Sequence, residues 1–172
     1  MIRSFDGKTP QIAVTAYIDE TAVIIGDVEI GEESSVWPGA VIRGDMGKIT
    51  IGKQSVIEDN CVIHSGIPGE DDSPVSIGDR VTIGHGAVVH SISIGSHVLI
   101  GINATLLHRS IIGDFCVIAA ATLVGPGQEI PDNSLAMGVP AKIKGKPSES
   151  QFWWSKNSFE KYKNSAKKIA GL

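Results

Sequence analysis

Histidines 64, 85 and 90 stand in the stretch from Ile42 to His90 together with Arg43, Asp45 and Asp59, the densest gathering of chemically able side chains in the sequence. Neutral imidazoles bind first-row divalent ions, and a histidine-only set suits Zn2+, with Fe2+ and Co2+ as alternatives. Three of them on a tetrahedral ion leave a fourth position open, where water ionises near pH ~7 and gives hydroxide at neutral pH. Arg43 is suited to holding an anionic product, and Asp59 to orienting a ligand or a nucleophile. Both fit an interfacial ion pair equally well. Which chemistry is open to them depends on the elements that carry them.

Large aliphatic residues recur every six positions. The first run is Ile12, Ile18, Ile24, Ile30, Val36 and Ile42. Three extra residues precede Ile51, Ile57 and Ile63, and a longer insertion, Ser65 to Ser76, precedes Ile77, Ile83 and Val89. With one residue skipped, the series resumes at Ile94 and runs through Ile100, Leu106, Ile112, Ile118 and Val124 to Ile130. A small residue often comes four places later, as at Ala22, Ser55, Cys61, Ala87 and Cys116, and glycine often follows directly. A period of six fits neither a helix nor an array of hairpins. It fits a short strand plus a turn, with one large and one small side chain inward. Three such units close a triangular coil, and stacked coils bury a continuous column. Each interruption falls after a third unit, so coils begin at Ile12, Ile30, Ile51, Ile77, Ile94, Ile112 and Ile130. The expected fold is all-β, a parallel β-helix of those seven coils.

That register converts spacing into geometry. In the third strand of successive coils, the residue after the inward aliphatic is Arg43, His64, His90 and Leu107, one outward column. Neighbouring strands lie about 4.7–4.9 Å apart, so His64 and His90 can share one ion at bond lengths near 2.0–2.1 Å. Two places after the aliphatic of the second strand come Pro38, Asp59, His85 and Ile102, a different column near a corner. His85 is therefore expected to miss an ion held by His64 and His90 of its own chain and to reach one held by a neighbour. Three-sided prisms packed about a threefold axis bring unlike faces together, so the ligand placement predicts a homotrimer with three equivalent interfacial sites.

Other candidates carry plainer readings. His97 falls in a turn and His108 one place off the column, so both are read as surface or stacking residues. Cys61 and Cys116 occupy the inward small position and are read as core thiols. Beyond the coils, Phe152, Ser155, Phe159, Tyr162, Ala166 and Ile169 recur at three and four, an amphipathic helix, with Ser148 and Gln151 as its capping box. It is expected to fold back on the coil flank or a neighbouring subunit, with Trp153 and Trp154 at that contact and Lys156, Lys161, Lys163, Lys167 and Lys168 as a solvated face. The domain division is 1–147 for the β-helix and 148–172 for the helix.

A net charge of −4 favours neither nucleic acid nor an anionic membrane surface. The opening Met1 to Asp6 is no signal peptide, and no apolar run approaches the roughly 20 residues that span a bilayer. The expectation is a soluble cytoplasmic protein.

Arg43-Gly44-Asp45, the run Asp59-Asn60-Cys61-Val62-Ile63-His64, and Ile83-Gly84-His85 with His90 resemble the γ-class carbonic anhydrases, within the hexapeptide-repeat, left-handed β-helix superfamily. The resemblance covers residues 11–143, nearly all of the coils, and its spacing holds across two insertions. It implies a left-handed coil, against the usual right-handed crossover. It also implies Zn2+ bound between subunits by His64 and His90 of one chain and His85 of the next, an interfacial Arg43–Asp45 pair, and reversible hydration of carbon dioxide to bicarbonate.

The chain departs from the active archetype at three places. Glu58-Asp59 stands where the archetype has Gln-Asp, whose glutamine orients the zinc-bound hydroxide. A glutamate there can accept the proton but adds negative charge, so Glu58, Asp59 and Arg43 are the expected catalytic residues. Met46-Gly47 replaces an acidic loop. Ser65-Gly66-Ile67 follows the first histidine where the archetype carries a proton-shuttling glutamate, and acid appears only at Glu70, Asp71 and Asp72, a solvated turn or a proton relay.

Two other functions share these features. Acyltransferases use the same fold with one histidine as base and a CoA-type carrier bound between subunits; Gly138-Val139-Pro140-Ala141-Lys142 resembles a segment found in both groups. A metal-holding binding or scaffold subunit with little or no hydratase activity is the other.

Overall fold

The computed structural model describes residues 1–66, 73–90 and 92–169; Glu70, Asp71 and Asp72 lie outside the described residues. Three columns of aliphatic side chains build the core. On the first face Ile12, Ile30, Ile51, Ile77, Ile94, Ile112 and Ile130 pair in sequence. On the second they are Ile18, Val36, Ile57, Ile83, Ile100 and Ile118. On the third they are Ile24, Ile42, Ile63, Val89, Leu106 and Val124. Every one of these pairings is parallel, and most of the residues are fully buried. The result is a left-handed parallel β-helix of about 7 turns with one C-terminal helix.

The corners explain the small residues. Their side chains point inward where two faces converge, and several of the polar ones donate to a carbonyl of the next coil. Ser34 Oγ reaches Gly52 at 2.7 Å, Ser55 Oγ reaches Gly78 at 3.0 Å and Cys61 Sγ reaches Gly84 at 3.1 Å. Serine and cysteine can thus replace alanine there without leaving a buried polar atom unpaired. Both cysteines are buried and free, as their position predicts. The coils approach so closely at the first corner that a Cβ on Gly31 would lie 2.7 Å from the Gly52 carbonyl carbon.

The three residues added after Ile42 do not break the ladder. Strand Val41–Ile51 continues round a corner, pairing on both sides of a bulge with Val23–Ile30. Residues 45–48 oppose Asp27 alone, so the chain arches outward there. Alternation along this strand puts Arg43 and Asp45 on the same outward side.

Helix Glu149–Ile169 lies on the second face, in contact with strands of four coils. Its start is the expected capping box: the Ser148 amide donates to Gln151 Oε1 at 2.8 Å, and the Gln151 amide to Ser148 Oγ at 3.3 Å. The outward residues beneath it, Ser35, Val56 and Thr82, are buried. The seam is partly polar, with Ser158 Oγ 2.5 Å from Thr82 Oγ1 and Ser155 Oγ donating to the His97 carbonyl at 2.8 Å.

Three details of the helix differ from expectation. Trp153 and Trp154 do not pack at the contact: they are exposed and lie edge to face against each other, 5.1 Å between centroids. At 100° per residue they fall on the side away from Phe159 and Ala166. Ile169 ends the stripe exposed. Lys163 leaves the solvated set, because it pairs with Glu33 on the coil.

Candidate metal centre

The third face is left bare by the helix, and it carries the histidine column. Arg43 is in register with His64, and His64 with His90, on adjacent coils. The His64 and His90 rings lie 5.2 Å apart between centroids, tilted by 48°. His64 Nε2 lies 3.0 Å from Asp45 Oδ1, and the other oxygen of Asp45 takes the Arg43 guanidinium. The Arg43–Asp45 pair therefore closes within one chain. Burial alone would raise the Asp45 carboxyl; the hydrogen bonds from His64 and Arg43 and the guanidinium charge outweigh it and hold the pKa below the ordinary value. Burial, with the neighbouring His64, His108 and Arg43, pushes His90 below the ordinary histidine value. That favours the neutral imidazole, the form that ligates metals.

His85 is elsewhere. Backbone bonds link Asn60 to Pro38, Gly86 to Asp59 and Asn103 to His85, so Pro38, Asp59 and His85 stack at one corner of the second face, as the register predicts. Its side chain is 46% exposed, and a carboxylate faces each ring nitrogen: Asp59 Oδ2 at 2.9 Å from Nδ1 and Glu58 Oε2 at 3.1 Å from Nε2. Among the described residues, no three His, Cys, Asp or Glu of one chain gather into a metal-holding group. Two imidazoles face each other on adjacent rungs while a third projects from another face. By its donor chemistry this set fits a divalent ion shared between chains.

The chain matches the family model described as Dynactin subunit 5 over residues 11–162. It is 44% identical over 143 residues to a carbonic anhydrase of Geobacillus kaustophilus, covering 83% of this chain and 76% of that protein. It is 34% identical over 169 residues to the mitochondrial gamma carbonic anhydrase 2 of Arabidopsis thaliana, covering 96% of this chain and 60% of that longer protein. The chain belongs to the γ-class carbonic anhydrase-like family of hexapeptide-repeat proteins. Among solved structures, a hexapeptide transferase family protein from Anaplasma phagocytophilum superposes with a TM-score of 0.88 at 32% identity, covering 96% of this chain and 95% of that one.

Within this γ-class-like chain, the structure brings together Arg43, Asp45, His64 and His90 in one group, and Glu58, Asp59 and His85 in another. Three neighbours escaped the sequence reading. The resemblance pairs Asp45 with Arg43 alone, although its outward parity beside the His64 column also places it against that ring. His108, one place off the column, still brings its ring to 6.3 Å from His90, edge-on. The stripe accounts for Tyr162 only as an apolar position, yet its ring packs edge-on to Trp37 at 4.9 Å, a contact between elements that no spacing rule announces. His97 is a stacking residue as expected, 4.9 Å from Phe115 and nearly parallel to it, and it sits in a left-handed turn. Among the described residues, no helix is long and apolar enough to cross a membrane.

Proposed function

We propose that this chain forms a homotrimer that reversibly hydrates carbon dioxide to bicarbonate, with Zn2+ held between subunits by His64 and His90 of one chain and His85 of its neighbour. Fe2+ and Co2+ are the alternative ions. The observation that carries this is the stacking of His64 with His90 on adjacent coils, with His85 presented on a different face. Bound zinc would supply a water of lowered pKa at neutral pH. The protein's own groups do the rest. Asp45 orients the His64 ring, and Asp59 holds Nδ1 of His85, leaving Nε2 as the ligand once Glu58 yields it. The Arg43 side chain, 42% exposed beside the pair, is available to an anionic product.

Elemental analysis and a stopped-flow carbon dioxide assay on one preparation test the proposal. About one ion per chain, together with hydration, is the expected result. A second reading, a metal-holding subunit without turnover, draws on the Dynactin subunit 5 match and on Glu58 in place of glutamine; bound zinc without hydration would select it. An acyltransferase would instead show protection by acetyl-CoA in a thermal-shift assay, with no metal.

A further inference from the structure

We propose that the C-terminal end of the β-helix is a docking surface for an anionic bilayer: exposed aromatic and aliphatic side chains enter the headgroup region, and the lysines beside them meet lipid phosphates. The net charge of −4 hides a division along the chain. Residues 1–136 carry 7 Lys and Arg against 17 Asp and Glu, net −10, while residues 137–172 carry 8 against 2, net +6. Attraction to a charged surface depends on where charge is placed, not on its total.

The fold gathers half of those eight lysines at one end of the prism. Strand Lys142–Ile143 turns back antiparallel on Leu135–Met137 and forms the last edge of the second face. Lys142, Lys144 and Lys146 are exposed there. The helix begins at the same end: Phe152 meets Phe115 of the sixth coil, 6.2 Å between centroids, and Ser155 already reaches the fifth at His97. Lys156 and the tryptophan pair therefore stand beside the edge strand, and Glu149 is the one carboxylate in residues 137–156. Lysines on an edge strand guard against strand addition. That accounts for Lys142 and Lys144 but not for their apolar neighbours. Val139 is 71% exposed, and Ile143, Trp153 and Trp154 are nearly half exposed. Helical side chains lean toward their own N-terminus, so both indoles lean toward this end. Indole rings settle at the headgroup level of a bilayer, and basic residues around an apolar patch draw it to anionic lipid. The surface lies within one chain and does not depend on the shared metal site. In a cyclic trimer its three copies would face the same way.

Cosedimentation of the full chain with vesicles tests this, comparing phosphatidylcholine alone with an equal mixture of phosphatidylcholine and phosphatidylglycerol. Binding to the mixed vesicles only, weakened by salt, is expected. Tryptophan emission should shift to the blue on binding, and the shift reports on Trp153 and Trp154 because Trp37 is already buried. Trp153→Ser with Trp154→Ser should abolish the shift and weaken binding. At about fivefold per lysine, Lys142→Gln with Lys144→Gln and Lys146→Gln should weaken binding about a hundredfold. All five positions are exposed, so circular dichroism should show both variants folded. No sedimentation with the mixed vesicles, equal sedimentation with both kinds, or wild-type binding by either variant would overturn the proposal. Concentration-dependent self-association without lipid, lost in both variants, would overturn it in favour of a second copy as the occupant.

Discussion

Asp45 Oδ1 lies 3.0 Å from Nε2 of His64, and its second oxygen takes the guanidinium of Arg43. One carboxylate thus fixes both the ring and the cation beside it. Asp45→Asn preserves the shape and removes the charge. Loss of such an outer partner typically lowers metal affinity by about 10–100-fold. Calorimetric titration of the metal-free variant with zinc checks this; unchanged affinity would mean that the ring is oriented by something else.

His85→Ala should lose both metal and hydratase activity while the chain still folds, because His85 is half-exposed at a corner and contributes nothing to the three core columns. Circular dichroism and metal analysis on the same sample separate the two effects. Full metal content in the variant would contradict a site shared between chains.

His90 makes stability pH-dependent in the metal-free protein. Its folded pKa is lowered, through burial first and then through His64, His108 and Arg43. As pH falls below about 6.5, the unfolded chain takes up a proton that the native state resists. The stabilisation is complete above that value and is lost progressively as pH falls through the native pKa. The drop in melting temperature between about pH 7.5 and about pH 5.5 should therefore shrink in His90→Gln. An equal drop in both proteins would refute the assignment.

The thiols should be inert. Burial raises Cys61 to about 12 and Cys116 above its ordinary value, and both thiols donate to carbonyls of the coil. A disulfide reagent at mildly alkaline pH should label neither until the protein unfolds, and rapid labelling of the native protein would count against the packing described.

Ile63 sits fully buried directly before His64 in the third column. Truncation to alanine removes that packing and leaves a cavity, at a cost of about 2–5 kcal/mol. Urea unfolding measures it. A cost well below that range would mean that the coils collapse around the gap.

The columns were legible because a period of six with three units per coil leaves a single way to stack Ile51 on Ile30 and Ile77 on Ile51. His64 and His90 followed from the same register, and the corner position of His85 did too. Spacing says nothing about contacts made by side-chain reach. Asp45 meets His64 by reaching sideways from its outward position on the neighbouring rung, and Tyr162 meets Trp37 because a helix lies down on another face. The two tryptophans differ from expectation for a related reason: apolar character points them to the contact, but their angle on the helix, where Phe159 and Ala166 set the buried side, turns them outward.

The corner that joins His85 to His90 has no spare residue, since Ala87 fills the interior and Val89 the next column. A single residue added or removed between these histidines would turn one of them into the core. The span from His64 to Ile77 departs from the six-residue period and is under no such restriction. Among genomic sequences, the five-position interval is thus a rigid ruler for a two-faced histidine set, whereas the interval leading up to it is elastic and should not be used to include or reject a candidate.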